Sequence, residues 1–428
     1  MFKAKVLVIA LIVLFAGPST VASAEPTTPI TYNAGTTATR FTGLAFDTCS
    51  APTLAQMTAW NASPYKAVGI YFGGVNRTCV QPQLTPSWVT AVTAMGWRLV
   101  PIYLGLQAPC GTRKYKMSTT SSNRDAVRDA DDAVAKAKAL GLLPGSALYN
   151  DMENYDNKNT VCRSAVLHYL SAWTKELHLQ RYASGVYVNQ ASGAPDLAAA
   201  YNSTSYARPD ALWIARWDGN SALTGWPPVP NTFWAVGQRG KQYRGDHTET
   251  YGGVTLNIDN DRFDAPVASV AYRYTVRTTV HSYSGPSTAY AVRSTIAANT
   301  SLRIVCQTFG QKIGTTTVWD KLVDGTYVTD YYVRTPNKTG YSAPLPGCSF
   351  PFQTTINNLT RRHGPGTAYT AYPSTLPIGS LAWVTCQAPG SKVGTTTVWD
   401  RLTDGSWVTD YYVATASNTT YTTPLRRC

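Results

Sequence analysis

Ala147-Leu148-Tyr149-Asn150-Asp151-Met152-Glu153 opens apolar and ends in two acids spaced i, i+2. Read as a short buried strand, it places Asp151 and Glu153 on one side, roughly 6.5 Å apart along the backbone. The apolar residues come first, so the acids stand at the strand's carboxyl end, where α/β proteins bind ligands. A paired Asp and Glu there suits glycosidic bond cleavage, with one carboxyl protonated for the leaving oxygen and the other ionised. Two solvated loop acids would look the same in isolation, so the rest of the chain has to discriminate.

Outward from this stretch, residues 40 to 266 alternate strand and helix signals. Strand-like runs are Phe41–Asp47, Ala67–Phe72, Leu99–Leu104, Ala147–Asp151, Ser184–Val188, Ala211–Arg216, Phe233–Gln238 and Leu256–Asp259. Between them, Asp125–Leu140 carries Val127, Ala130, Val134, Ala137 and Leu140 at helical spacing, opposite Arg128, Asp132 and Lys136. Val161–Leu179 is a second helical stretch. Eight strands with intervening helices predict an α/β fold, a (β/α)8 TIM-type barrel made irregular by short final connections.

Acids recur at the predicted strand ends. Asp47 ends the first, Asp151 and Glu153 the fourth, Asp218 follows the sixth, and Asp259 and Asp261 end the eighth. In a barrel these ends converge on one face, which scattered surface acids would not do. Tyr71, Tyr103, Gln107, Tyr187 and Trp217 lie at or near other strand ends and are candidate sugar contacts, although barrel packing explains each singly. The five histidines share no metal-ligand spacing, and no G-x-S-x-G, phosphate-loop or dinucleotide fingerprint occurs. Neither a metal nor a cofactor is expected.

Residues 1–24 read as a secretion signal, with Lys3 and Lys5, an apolar run from Val6 to Phe15, and Ala22-Ser23-Ala24 before Glu25. Residues 25–39 read as a linker, and no later segment is apolar enough to span a membrane. Cys49, Cys79, Cys110 and Cys162 each follow a barrel strand, and disulfides are the default in an oxidising compartment. Four cysteines allow three pairings; neighbouring loops favour Cys49–Cys79 and Cys110–Cys162. The formal charge is +13, or +11 without the signal. Glu25 to Pro266 holds 21 basic and 18 acidic residues; Val267 to Cys428 holds 14 and 6, a net of +8. A basic secreted tail calls for an anionic polymer or surface, and the compartment argues against nucleic acid.

That tail is a repeat. Ile313-Gly-Thr-Thr-Thr-Val-Trp319-Asp320 recurs as Val393-Gly-Thr-Thr-Thr-Val-Trp399-Asp400, and Val328-Thr-Asp-Tyr-Tyr-Val333 as Val408-Thr-Asp-Tyr-Tyr-Val413, each 80 residues on. Cys306 and Cys348 recur as Cys386 and Cys428, which suggests a Cys306–Cys348 and a Cys386–Cys428 bridge, one per copy. Short strands and Asp-Gly turns make each copy a small β module. With Gly285-Pro-Ser-Thr-Ala-Tyr290 and Gly364-Pro-Gly-Thr-Ala-Tyr369 as the early turn, the copies resemble bacterial SH3-like domains, which commonly bind cell-wall peptides or glycans. Their expected spans are 273–348 and 353–428, with the barrel at 40–268 and the boundary between Pro266 and Tyr272.

The acids resemble those of glycoside hydrolase family 25, the Chalaropsis-type muramidases, which end strand one in Asp, strand four in Asp-x-Glu and strand eight in Asp. Gly43-Leu-Ala-Phe-Asp-Thr-Cys-Ser-Ala-Pro52, Val68-Gly-Ile-Tyr-Phe-Gly-Gly74, Pro101-Ile-Tyr-Leu-Gly-Leu-Gln107 and Tyr149-Asn-Asp-Met-Glu153 more closely resemble the glycoside-hydrolase-like domain of secreted actinobacterial proteins known as domain of unknown function 1906. The resemblance covers nearly all of Phe41 to Asp264. It implies a barrel with a glycosidase-like cleft, Glu153 as general acid, Asp151 orienting substrate or stabilising an oxocarbenium ion, and Asp47 and Asp259 holding the sugar and the Glu153 proton. A substrate N-acetyl group could act as nucleophile. The expected partner is peptidoglycan or a related wall glycan. Three readings stay open at this point: a wall glycan hydrolase, a glycan-binding protein on a glycosidase-like barrel, and a structural wall protein.

Overall fold

The computed structural model describes residues 38–235, 237–423 and 425–428. The expected signal and the linker as far as residue 37 lie outside the described residues. The first half runs β1 (Thr39–Asp47), α1 (Leu54–Ala59), β2 (Ala67–Gly73), α2 (Pro86–Ala94), β3 (Arg98–Tyr103), α3 (Ser122–Leu140), β4 (Ala147–Met152), α4 (Thr160–Leu179), β5 (Ala183–Asn189), α5 (Gly193–Ala199), β6 (Ala211–Ala215), β7 (Arg239–Tyr251) and β8 (Val254–Val267). The eight strands close into a barrel in that order.

Strand alternation divides the core in two. In β4, Leu148 and Met152 join the layer between strands and helices, while Tyr149 joins the barrel interior with Ala45, Ile102, Trp213 and Phe263. Asp151 shares the parity of Tyr149 and so points inward, above it. The helices bury apolar stripes against the outer layer. In α3 the stripe is Ala126, Ala130, Ala133, Val134 and Ala137, and Gly141 in the left-handed region ends the helix.

Two strands differ from the sequence reading. The seventh is not Phe233–Gln238 but starts at Arg239. Phe233 and Trp234 lie in a turn, where Trp234 is fully buried and donates from Nε1 to the Pro209 carbonyl at 2.8 Å. Their apolar character serves burial in a turn, not alternation along a strand. The eighth runs far longer than Leu256–Asp259 and in the opposite sense: β7 and β8 form a hairpin, and β8 pairs antiparallel with β1. Asp259 and Asp261 therefore lie near the middle of β8, not at its carboxyl end. They reach the acidic face because the reversed strand begins there, with Asp259 directly opposite Asp47.

The second half forms two curled, mainly antiparallel sheets. The first holds β9 (Tyr272–Thr275), β10 (Val280–Tyr283), β11 (Val292–Ile296), β12 (Ser301–Ile313), β13 (Thr316–Leu322) and β14 (Tyr327–Thr329). The second holds β15 (Phe350–Gln353), β16 (Leu359–Arg362), β17 (Ala371–Leu376), β18 (Leu381–Val393), β19 (Thr396–Leu402), β20 (Trp407–Thr409) and β21 (Arg426–Arg427). Apart from β21, the strand orders are the same. Disulfides join Cys306 to Cys348 and Cys386 to Cys428. Leu381 and Trp383 of β18 belong to the same buried cluster as the barrel interior, which places the second sheet against the end of the barrel remote from the acids. Arg40 at the start of β1 donates to Thr403 Oγ1 at 3.0 Å, and Arg208 to the Ile378 carbonyl at 2.7 Å, across the same junction. No helix among the described residues is long and apolar enough to cross a membrane.

Candidate active site

Four parities and one glycine build the cleft. Asp47 of β1, Tyr71 of β2, Asp151 of β4 and Asp259 of β8 all point inward at the top of the barrel. Gly69 lies on β2 opposite Asp47, and a Cβ there would stand 2.4 Å from Asp47 Cβ, so the close approach of the two strands requires glycine. The cleft holds about 250 Å³ and is lined by Asp47, Tyr71, Asp151, Glu153 and Asp259, with Arg77, Arg113, Asp246 and Asn257 around them. Cys49–Cys79 ties the loop after β1 to the loop after β2, and Cys110–Cys162 ties the loop after β3 to the first turn of α4. Both bridges pin the rim of the cleft.

Gln242 of β7 organises the floor. Its amide nitrogen donates to Asp47 Oδ2 at 2.8 Å and to Asp259 Oδ2 at 3.0 Å. Its carbonyl oxygen accepts from Tyr187 Oη at 2.9 Å and Trp217 Nε1 at 2.8 Å. Both polar ends of the amide are thus used, which fixes its orientation. Tyr71 Oη donates to Asp47 Oδ1 at 3.4 Å, and the Asp246 backbone N–H to Asp259 Oδ1 at 2.5 Å. Below them Asp261 is buried and accepts from Trp213 Nε1 at 3.2 Å.

Burial raises this cluster. Desolvation first, then the nearby Asp259 charge, pushes Asp47 up to about 7, against hydrogen bonds from Gln242 and Tyr71. Burial drives Asp151 well above the usual carboxylate range, with Glu153 adding to the rise and Arg113 opposing it. Asp261 is likewise driven up by burial and then by Asp47 and Asp259. Asp259 is raised by burial, an effect reduced by the Asp246 N–H. Glu153 stands in a different medium. Its side chain is 34% exposed and forms an ion pair with Arg113 Nη2, from the loop after β3.

The other sequence candidates divide by location. Gln107 is buried and lies behind the cleft: Nε2 donates to the Asp151 carbonyl at 2.6 Å and Oε1 accepts from the Glu153 N–H at 2.9 Å. It braces the Asp-x-Glu backbone. Tyr187 lies in the barrel interior against Trp213. Trp217 is 62% exposed at the rim. Tyr103 has the opposite parity and faces the helices, donating to Asp132 Oδ2 at 2.7 Å and packing on Trp173. Asp218 is outside the cleft and pairs with Arg216 and the buried Lys241, each at 2.7 Å. The strand-end reading missed Arg113, Arg77, Asp246 and Gln242. Gln242 sits in a strand whose start the sequence obscures. Arg113 sits in a loop, where no spacing signals direction.

Residues 58–263 match the family model described as Rv2525c-like, glycoside hydrolase-like domain. No curated protein matches the chain. Among solved structures, the Tat-secreted protein Rv2525c of Mycobacterium tuberculosis in complex with L-tartrate is similar over 52% of this chain and 96% of its own, at 16% identity and a TM-score of 0.36. An uncharacterized B. stearothermophilus protein is similar over 52% and 99%, at 19% identity and a TM-score of 0.37. A family 25 glycosyl hydrolase from Bacillus anthracis is similar over 53% and 92%, at 15% identity and a TM-score of 0.33.

Proposed function

We propose that the chain is a secreted glycoside hydrolase acting on peptidoglycan or a related wall glycan. The observation that carries this reading is the convergence of Asp47, Asp151, Glu153 and Asp259 on one cleft. The match of residues 58–263 to a glycoside hydrolase-like domain supports it. Glu153, the carboxyl that reaches solvent, is the general acid. Arg113 pairs with Glu153, and burial keeps a proton on Asp151. A sugar that displaces Arg113 removes that attraction. The proton then moves to Glu153, beside the leaving oxygen, and Asp151 becomes the carboxylate that stabilises an oxocarbenium ion. Asp47 and Asp259, held by Gln242, hydrogen-bond the ring. The four disulfides support an extracellular location. The two repeats, read as SH3-like modules with a net charge of +8 over residues 267–428, hold the enzyme on an anionic wall.

The Arg113–Glu153 ion pair favours a second reading, a glycan-binding protein whose acid is neutralised for good. Wild type and Glu153→Gln, incubated with purified peptidoglycan, separate the two. The hydrolase reading expects new reducing ends from wild type and none from the variant, with glycan binding retained. Wild type without turnover, and a variant that binds equally well, would leave the binding protein standing.

A further inference from the structure

We infer that the junction of the two repeats is a second binding site, for an acidic glycan whose sugar rings carry carboxylates. The inference rests on the proposed anchoring role of the tail and says where on the tail the polymer sits. A groove of about 560 Å³ lies between the copies, lined by Tyr290, Phe309 and Gln311 of the first and Tyr421, Arg426 and Arg427 of the second. The Arg426 guanidinium lies 5.5 Å from the centroid of the Phe309 ring, which itself stacks on Tyr341 at 4.8 Å. Arg427 lies 4.2 Å over Tyr421. Neither arginine is ion-paired with a carboxylate among the described residues. A guanidinium held over an aromatic ring keeps N–H groups for a planar acceptor, and a carboxylate takes two of them at once. Holding it there also reduces the ordering cost of binding.

The two copies differ at this junction. Eighty residues on from Phe309 and Gln311 stand Pro389 and Ser391, and eighty before Arg426 and Arg427 stand Pro346 and Gly347. Neither copy alone supplies the set; the chain makes it by bringing β12 of one to β21 of the other. The aromatic walls select the ligand further. A sugar ring has an apolar face to lay against Tyr290 or Tyr421, which an acyclic polyol phosphate lacks.

Calorimetric titration of the full chain with a galacturonic acid hexasaccharide tests this, with neutral galactose oligosaccharide and poly(glycerol phosphate) as the other ligands. Arg427 is exposed, so Arg427→Gln leaves the fold intact. It is expected to weaken uronate binding about tenfold. Exposed Lys392, outside the groove, provides the charge-matched control, and Lys392→Gln is expected to cost about twofold or less. Tyr421→Ala, which changes no charge, is expected to weaken binding as well. If wild type binds neither the acidic hexasaccharide nor poly(glycerol phosphate), the anionic anchoring role fails and the groove with it; poly(glycerol phosphate) bound without the hexasaccharide overturns the carboxylated-sugar site alone. If wild type binds the hexasaccharide but Arg427→Gln and Lys392→Gln are equal, attraction is diffuse and only the groove is overturned. Tighter, Arg427-dependent binding of poly(glycerol phosphate) would overturn the choice of a carboxylated sugar.

Discussion

Asp151 and Glu153 are two positions apart and stand in different media. Asp151 is buried above Tyr149, whereas Glu153 reaches the cleft mouth and Arg113. The same contrast runs through the floor. Asp47 titrates at about 7 because burial, then Asp259, disfavours its charge. The folded state therefore keeps a proton that the unfolded chain releases between about pH 4 and 7. Stability from this group is present at low pH and is lost as pH rises through about 7. Asp47→Asn stays neutral, so the variant should match wild type near pH 4. Near pH 8 it should be more stable, by on the order of a few kcal/mol. Urea unfolding across that range checks it; a parallel pH dependence in both proteins would show that Asp47 does not carry this load. The acids themselves were legible in the sequence, because period-two spacing is a property of the strand alone. Arg113 and Gln242 were not, because each reaches the cleft only through the path of a loop or the register of a neighbouring strand.

At the scale of the element, parity explains both the success and the failure of the strand-end reading. Asp47, Tyr71, Asp151 and Tyr187 share the inward parity of Ala45, Gly69, Tyr149 and Gly185, while Tyr103 shares the outward parity of Leu99. The repeats carry a second elementary lesson. In the first copy Gln307 Nε2 donates to Asp320 at 2.7 Å and Asp330 at 3.2 Å, and Lys338 Nζ pairs with Asp330 at 3.0 Å. In the second, Gln387 bridges Asp400 and Asp410 at 2.8 and 3.1 Å, but Asn418 replaces the lysine and donates to the carbonyls of Asp410 and Tyr411. Burial pushes Asp410 up to about 6 and Asp400 well above its usual range. Folded-state values raised in this way remove stability as pH rises from about 4 through 6. The second repeat should therefore soften above about pH 6, and Asn418→Lys should reduce that softening by supplying the missing cation. Amide hydrogen exchange of residues 350–428 at pH 5 and 7.5 reads this directly. Equal pH sensitivity in wild type and variant would show that the lysine position is irrelevant to the buried pair.

Across the whole molecule, the barrel is finished by a residue set that lies outside it in sequence. β2, β4, β5 and β6 each begin with a buried alanine, Ala67, Ala147, Ala183 and Ala211. These small side chains belong to the same cluster as Leu381 and Trp383 of the second sheet. The sequence predicts a barrel and tail that part between Pro266 and Tyr272; the shared cluster gives the second repeat a stake in the barrel's stability. Trp383→Ala should cost about 3–5 kcal/mol, as large buried aromatic truncations do. It should lower the unfolding temperature of the barrel together with that of the second repeat. Differential scanning calorimetry that showed only the repeat's transition moving would refute the shared core.

The sequence by itself determined the alternation of strands and helices, the duplication of the tail, the cysteine pairs at matched spacing and the acids of the Asp-x-Glu strand. These follow from periods of two and 3.6 residues and from self-similarity, which need no knowledge of neighbours. Only the tertiary structure decided that β8 runs backwards and so brings Asp259 against Asp47. It alone set Arg113 on Glu153, Gln242 between two carboxyls, Arg426 over Phe309 and Trp383 in the barrel cluster. Each of these is a contact between residues far apart in the chain, and its direction depends on strand order, loop path and burial, which local spacing does not encode.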